Sequence, residues 1–392
     1  MKEGLPDLRE IPSCIGGDPK SRRGIVVAKS IPAKKYGVTT GEPVSMALRK
    51  CPELICVPGD FALFETCSRA FKKICASYAP VMESFSIDEV FLDMSGTEKI
   101  YPDPVKLAHE IKDRIREELG FTVNIGIGTN KLLAKMASDF EKPNKVHTLY
   151  PEEVPQKMWS LPVRDLLFLG KASEKKLIQN GIHTIGDLAQ ANEKEIQMLL
   201  GEKSGHQLYL SANGMDDSPV KAQRDEAKGI SVETTFDEDI VSYEQIFPIL
   251  LSQCDIVAAR MRREGKKCNC VAVSFRTLEF KNKSHQRKLE NPTDVTDEIY
   301  QNVKRLFQES WSGQPLRLIG VALTGLTEDS FVQMSLFEDP KKREQQKKLD
   351  EAMDNIRKKF GNDKISRAST MNVSGRIARK AKAQMENGRE KK

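Results

Sequence analysis

Nine residues, Phe85 to Asp93 (FSIDEVFLD), constrain this chain more than any other stretch. Two adjacent carboxylates, Asp88 and Glu89, interrupt a run that otherwise reads Phe85, Ile87, Val90, Phe91 and Leu92. A short β-branched and aromatic run of this kind predicts a core strand. Burying two carboxylates there would cost several kcal/mol unless something positive compensates. A divalent cation is one such compensation, because Mg²⁺ takes oxygen ligands and usually shares them with substrate phosphates. An edge strand whose acids face water is the other reading that the strand alone allows.

The chain has 392 residues, too many for one ordinary core, so roughly two to four domains are expected. No stretch of eighteen apolar residues occurs, and Met1 is followed by the polar KEGLPDLREIP. These features argue against a membrane span and a signal peptide and predict a cytoplasmic protein. The eight cysteines form no CxxC pair, and Cys268 and Cys270 lie two apart, on one face of a predicted strand. Reduced core thiols suit that spacing better than zinc does. The five histidines are scattered and suggest no metal site or triad.

Charge is unevenly distributed. Residues 341–392 hold 17 Lys/Arg against 7 Asp/Glu, which leaves residues 1–340 at about −4. Within that body, 260–288 carries 10 basic residues (Arg260, Arg262, Arg263, Lys266, Lys267, Arg276, Lys281, Lys283, Arg287 and Lys288) against two acidic ones. A local basic block in a near-neutral body predicts a phosphate-binding surface; a solvated charged face is the alternative. The alternation from Cys268 to Phe275 puts this surface on a folded sheet.

Residues 24–150 alternate strands (24–28, 54–58, the carboxylate strand, 121–128) with helices (43–50, 60–79, 103–119, 130–141), which predicts a layer of helices on a sheet. Residues 152–212 are wholly helical in short units linked by glycine-containing turns. That pattern suggests helix-hairpin-helix geometry, in which amides at a helix N-terminus hold a DNA phosphate without reading sequence. A polar linker, 218–229, precedes a last α+β unit with strands at 229–235, 269–278 and 316–324 and helices at 243–263 and 292–310. The segment 341–361 predicts a charged helix with Leu349, Met353, Ile356 and Phe360 at helical spacing, and 371–392 predicts a disordered basic end.

Four segments in this order, SIDEVFLDMSG (86–96), GIGTNKLLAKMASDFEKP (126–143), LGKASEKKLIQNGI (169–182) and SVETTFDED (231–239), resemble a Y-family translesion DNA polymerase of the UmuC-like bacterial branch. The resemblance implies an α+β multidomain, right-hand polymerase. Fingers would span 1–60, palm 61–158, a helix-hairpin-helix thumb 159–222, a linker 223–228, a little-finger domain 229–325, and a clamp-binding peptide with charged tail 326–392. It further implies error-prone, template-directed addition of deoxynucleotides opposite damaged DNA by two-metal phosphoryl transfer, with two Mg²⁺ ions. Asp88 resembles the carboxylate bridging both metals, Glu89 the one on the hydroxyl-side metal, and Lys142 the lysine that steadies the triphosphate. Lys34 stands where the family often has an arginine on the triphosphate, and it acts only as a point charge. Gly170 and Lys171 of the thumb and the ten basic residues of 260–288 would grip primer-template DNA. Gln333, Leu336 and Phe337 of QMSLF resemble the peptide that docks bacterial polymerases on the sliding clamp. Lys131 and Lys135 read as surface helix positions, and Asp93 as a turn residue.

Three departures stand out. No D-x-x-x-[FY]-[FY] motif precedes the fingers, so the family's first metal-binding aspartate and its strand lack counterparts; a start codon set too late would explain this. A non-catalytic DNA- and clamp-binding paralogue competing at stalled forks is the rival reading. Ile31 stands where the family often has a triphosphate-binding tyrosine, and Phe168 where a glycine would let backbone approach phosphate.

Overall fold

The structure is a computed structural model that describes residues 7–19, 22, 24–223, 226–328, 340–361 and 364–370. Two compact units divide the chain, one of residues 1–59 with 226–392 and one of residues 60–225.

In the N-terminal part of the first unit, β1 (Ser13–Gly16) runs antiparallel to β2 (Val26–Lys29) and parallel to β3 (Ile55–Val57). Helices α1 (Ile31–Lys35) and α2 (Val44–Lys50) bury Ala33, Val44 and Ala47 against Cys14, Val26 and Leu54. The Ser30 hydroxyl starts α1 by accepting from the Ala33 N–H at 3.2 Å, satisfying one orphan donor of the first turn. All eight cysteines are free thiols.

The second unit begins with α3 (Phe61–Ala76), the antiparallel hairpin β4 (Val81–Ser84) and β5 (Val90–Asp93), and α4 (Pro104–Leu119). Phe71, Ile74, Leu107, Ile111 and Ile115 of the two helices form the core, with Met82, Val90 and Leu92 of the hairpin packed on it. Next, β6 (Ile125–Ile127) pairs in parallel with β7 (Val146–Thr148), with α5 (Lys131–Asp139) between them in sequence. A Cβ on Gly126 would lie 1.9 Å from the Ala134 carbonyl oxygen, so only glycine lets α5 sit this close to β6. Five short helices follow: α6 (Val154–Lys157), α7 (Lys171–Gln179), α8 (Ile185–Gln190), α9 (Glu193–Leu200) and α10 (Glu202–Ala212). Their core, with Leu166, Leu177, Ile185, Leu188 and Leu208, is continuous with Leu133 and Met136 of α5.

The strand expected over Phe85–Asp93 exists only from Val90 onward. Phe85 to Glu89 form the turn of the β4–β5 hairpin, where the Phe85 and Ser86 N–H groups both donate to the Glu89 carbonyl at 3.1 Å. Phe85 returns its ring edge-on to Phe91, 5.2 Å between centroids, while Ile87 and Asp88 stay exposed. The carboxylates therefore need no compensation for deep burial. The strand expected at 121–128 is likewise limited to Ile125–Ile127.

The C-terminal part of the first unit contains β8 (Gly229–Ile240), α11 (Tyr243–Arg263), β9 (Lys267–Thr277), β10 (Asn282–Thr293), α12 (Thr296–Ser310) and β11 (Leu316–Thr327). The four strands form one antiparallel sheet in the order β10-β9-β11-β8. Val271, Val273 and Phe275 of β9 and Ile319, Val321 and Leu323 of β11 meet Ile246, Leu250, Val257, Ile299 and Phe307 of the helices. Strand β10 was not expected from sequence; its outward residues give no apolar alternation. Helix α13 (Pro340–Phe360) forms as expected, but Leu349 and Phe360 are exposed while Asp350, Met353 and Arg357 are buried. Charged groups anchor it: Arg262 bonds Asp350 at 3.3 Å and Asp354 at 2.7 Å, and Arg357 bonds Asp255 at 2.6 Å.

Candidate active site and nucleic-acid interface

The carboxylate turn is held from beneath by α3. The Lys72 ammonium donates to the Ser86 carbonyl at 2.6 Å, and the Ser68 hydroxyl donates to the Ile87 carbonyl. Above these bonds, the Ser86 hydroxyl lies 2.6 Å from Asp88 Oδ1 and 3.5 Å from Glu89 Oε2. Oxygens of both acids thus lie within 3.5 Å of one hydroxyl, which donates to Asp88. Asp93 accepts the Ser95 N–H at 3.0 Å, which makes it the turn residue expected.

Helix α5 brings cations to the turn. Lys131 donates to both oxygens of Glu83 at 2.8 and 2.9 Å, with its ammonium 5.2 Å from the Phe91 ring centroid. Lys135, only 15% exposed in its side chain, lies 2.8 Å from Glu89 Oε1 and 2.7 Å from Asp139 Oδ2. Asp139 Oδ1 in turn takes Lys142 at 2.7 Å. Sequence reasoning left Lys131 and Lys135 on the solvent face. Their four-residue spacing, continued by Asp139, was the available signal that all three share one face.

Burial works against the Asp139 charge, but the hydrogen bonds from Lys135 and Lys142 outweigh it and hold the carboxyl below its usual range. A depressed carboxylate contributes stability that is complete above the ordinary value near ~3.9 and is lost as pH falls through the lowered one. Urea midpoints of the wild type and Asp139→Asn should therefore differ at neutral pH and converge only below about pH 4. A constant gap down to pH 2 would contradict this.

Two carboxylates on one turn suit a divalent ion completed by water and substrate phosphates. Among the described residues no group of three or more His, Cys, Asp and Glu could hold a metal ion, so the pair on this turn is the candidate considered. Lys34 lies exposed on α1, in the first unit.

In the helical region, Gly170 starts α7 with open space around its α-carbon, and Lys171 is exposed. Just before them, Phe168 adopts φ 66° and is 78% exposed. The left-handed backbone disfavours a residue with a Cβ, and packing gives little in return. Phe168→Gly should stabilise this unit by about 0.5–1 kcal/mol after the entropy of glycine is subtracted. A lower unfolding midpoint would contradict the strain.

The sheet register divides the basic block. Lys288 pairs with Cys270 and Asn282 with Arg276, whereas Lys283 and Arg287 lie opposite the buried Phe275 and Val271. By strand alternation, Lys288 and Arg276 face away from the helices. Arg287 reaches Glu309 of α12. Lys281 pairs with Glu279 at 2.9 Å and Lys266 with Glu226 at 2.6 Å. Arg263 and Lys283 are exposed, and Lys267 and Arg260 half-buried, the latter 3.5 Å from the Ser231 carbonyl. Arg262 turns inward to Asp350 and Asp354, a placement the local sequence could not disclose because its partners lie about 90 residues away. Gln333, Leu336 and Phe337 lie outside the described residues.

Residues 2–139 match the impB/mucB/samB family, 227–336 match that family's C-terminal domain, and 164–216 match the DNA polymerase-iota thumb domain. A protein of Clostridium acetobutylicum named DNA polymerase IV is 42% identical over 92% of this chain and 91% of its own length. DNA polymerase IV of Acetivibrio thermocellus is 36% identical over 94% of each chain, and DNA polymerase IV 2 of Bacillus subtilis is 35% identical over 96% and 92%. Among solved structures, a Y-family DNA polymerase chimera (Dbh-Dpo4-Dbh) superposes with a TM-score of 0.72 at 23% identity, covering 82% of this chain and 94% of the chimera. Among the described residues no helix is long and apolar enough to cross a membrane.

Proposed function

The chain belongs to the Y family of DNA polymerases, and from that premise we propose how its residues serve template-directed nucleotide addition in translesion synthesis. Y-family polymerases use divalent metal ions, and we read Asp88 and Glu89 as the residues that hold two Mg²⁺. The observation that supports this is that oxygens of both carboxylates lie within 3.5 Å of the Ser86 hydroxyl on a turn pinned by α3. Ions held there would lower the pKa of the primer 3′-hydroxyl and neutralise charge on the triphosphate. The residues do the rest. Ser86 fixes the Asp88 rotamer, Glu89 keeps Oε2 near the Ser86 hydroxyl and Oε1 on Lys135, and Lys142 would reach the triphosphate as negative charge moves to pyrophosphate. Lys34 is read, from the sequence resemblance alone, as a point charge for a nucleotide phosphate.

Gly170 and Lys171 are read as contacts to a DNA phosphate at the α7 N-terminus. Arg260, Arg263, Lys266, Lys267, Arg276, Lys281, Lys283, Arg287 and Lys288 are read as contacts along the duplex, several of them after release from protein partners such as Asn282 for Arg276 and Glu309 for Arg287. The assignment to the UmuC-like branch, without the family's D-x-x-x-[FY]-[FY] aspartate, rests on the sequence resemblance. So does docking of Gln333, Leu336 and Phe337 on a sliding clamp. A cytoplasmic location follows from the need for DNA and deoxynucleotides.

The test is single-nucleotide addition to a primer opposite undamaged and abasic template positions, with and without Mg²⁺. Metal-dependent addition at both positions is expected. Retention of primer-template without addition at any Mg²⁺ concentration would favour the non-catalytic paralogue instead.

A further inference from the structure

Four alternating charges run from the carboxylate turn along α5 to just beyond its end: Glu89, Lys135, Asp139 and Lys142, joined at 2.8, 2.7 and 2.7 Å. The burial along this row is graded. Lys135 is the enclosed member, whereas the Lys142 side chain is 60% exposed and Glu89 37% exposed. An ammonium at 2.8 Å occupies one oxygen of the carboxylate that a divalent cation would use, and it repels any cation approaching the other. Releasing a shielded lysine ordinarily leaves an uncompensated charge. Here the release is already provided for, because Asp139 accepts from the same ammonium.

We propose that Lys135 is a positioning residue that holds Glu89 until a divalent cation binds, then shifts its bond to Asp139, with Lys142 setting how readily it does so. This rests on the reading of Asp88 and Glu89 as metal-binding carboxylates. The coupling follows from the sharing of Asp139. While Lys142 draws on Asp139, Lys135 relies more on Glu89. When a phosphate anion attracts the exposed Lys142, the whole charge of Asp139 falls to Lys135, and Glu89 is released. Anion binding at Lys142 and cation binding at Glu89 therefore favour each other, and linkage makes the effect reciprocal.

The device can be read without catalysis, from Mn²⁺ binding to the full chain followed by the electron paramagnetic resonance of free Mn²⁺. Lys135→Met and Lys135→Gln should each tighten Mn²⁺ binding by about tenfold or more, and Lys135→Arg should stay within about twofold of wild type because it retains the charge. Asp139→Asn should weaken binding several-fold in the wild-type background, since Lys135 then clings to Glu89. The same substitution should have almost no effect beside Lys135→Gln; a simple field effect of Asp139 would be equal in both backgrounds. Melting curves select folded variants, and either neutral substitution suffices. Asp88→Ala separates the two levels of the argument. Unchanged Mn²⁺ binding in Asp88→Ala would remove the metal-site reading and the proposal with it. Loss of binding in Asp88→Ala, with no tightening in the Lys135 variants or equal Asp139→Asn effects, would overturn the proposal alone.

Discussion

Asp88→Ala should reduce Mg²⁺-dependent nucleotide addition by at least roughly 10³-fold, the scale of about 4 kcal/mol of lost transition-state stabilisation. The fold should hardly notice. Asp88 is exposed at a hairpin turn, its side chain meets the Ser86 hydroxyl, and the turn itself is closed by backbone bonds and by Lys72 and Ser68 of α3. Exposed substitutions of this kind change stability by no more than about 0.5 kcal/mol. A large rate loss with an unchanged unfolding midpoint and unchanged primer-template affinity is thus the expected combination. A rate loss under tenfold would mean that Asp88 is not a ligand of the reacting centre.

The second large effect lies in the C-terminal helix. Asp350 is 2% exposed; it accepts the Thr296 N–H at 2.7 Å, Arg262 at 3.3 Å and Arg367 at 2.5 Å. Asp350→Ala leaves two arginines short of a counter-charge in a buried setting, and breaking such a network typically costs about 3–5 kcal/mol. Because the chain has two compact units, unfolding is best followed by more than one probe. The transition of the unit containing residues 226–370 should shift to lower urea, and that of residues 60–225 should stay in place. A loss below about 1 kcal/mol would contradict a buried, well-bonded network. Loosening α13 also frees Arg262, so DNA affinity that rises in this variant would be a secondary sign that Arg262 is held back by its partners.

The same two regions show what local sequence can and cannot disclose. The order of strands and helices was legible because the apolar periods at 61–76, 104–119 and 243–263 are strong and their caps are ordinary ones, such as Asp60 accepting from Leu63 N–H and Asp103 from Val105 N–H. FSIDE read as strand because a hairpin turn whose Phe85 folds back on Phe91 carries the same apolar residues as a continuous strand. Strand β10 stayed hidden because an edge strand needs only backbone partners, and NKSHQRK obtains them from β9. Charged residues were the hardest to read. Lys135 and Arg262 look like solvated side chains until Glu89 and Asp354 arrive from 46 and 92 positions away. The buried face of α13 could not be read from its apolar spacing for the same reason, since Asp350 and Arg357 are buried there by charged partners rather than by apolarity.

The most direct measurement of the central claim, that Asp88 binds the metal of the reaction, is a metal switch at that position. In Asp88→Cys the hard carboxylate becomes a soft thiolate, which favours Cd²⁺ over Mg²⁺. Single-nucleotide primer extension by this variant should be absent with Mg²⁺ and recover when Cd²⁺ is added, at concentrations that give the wild type no advantage. Extension by Asp88→Cys in Mg²⁺ at the wild-type rate, or no recovery with Cd²⁺ while primer-template binding persists, would contradict the assignment.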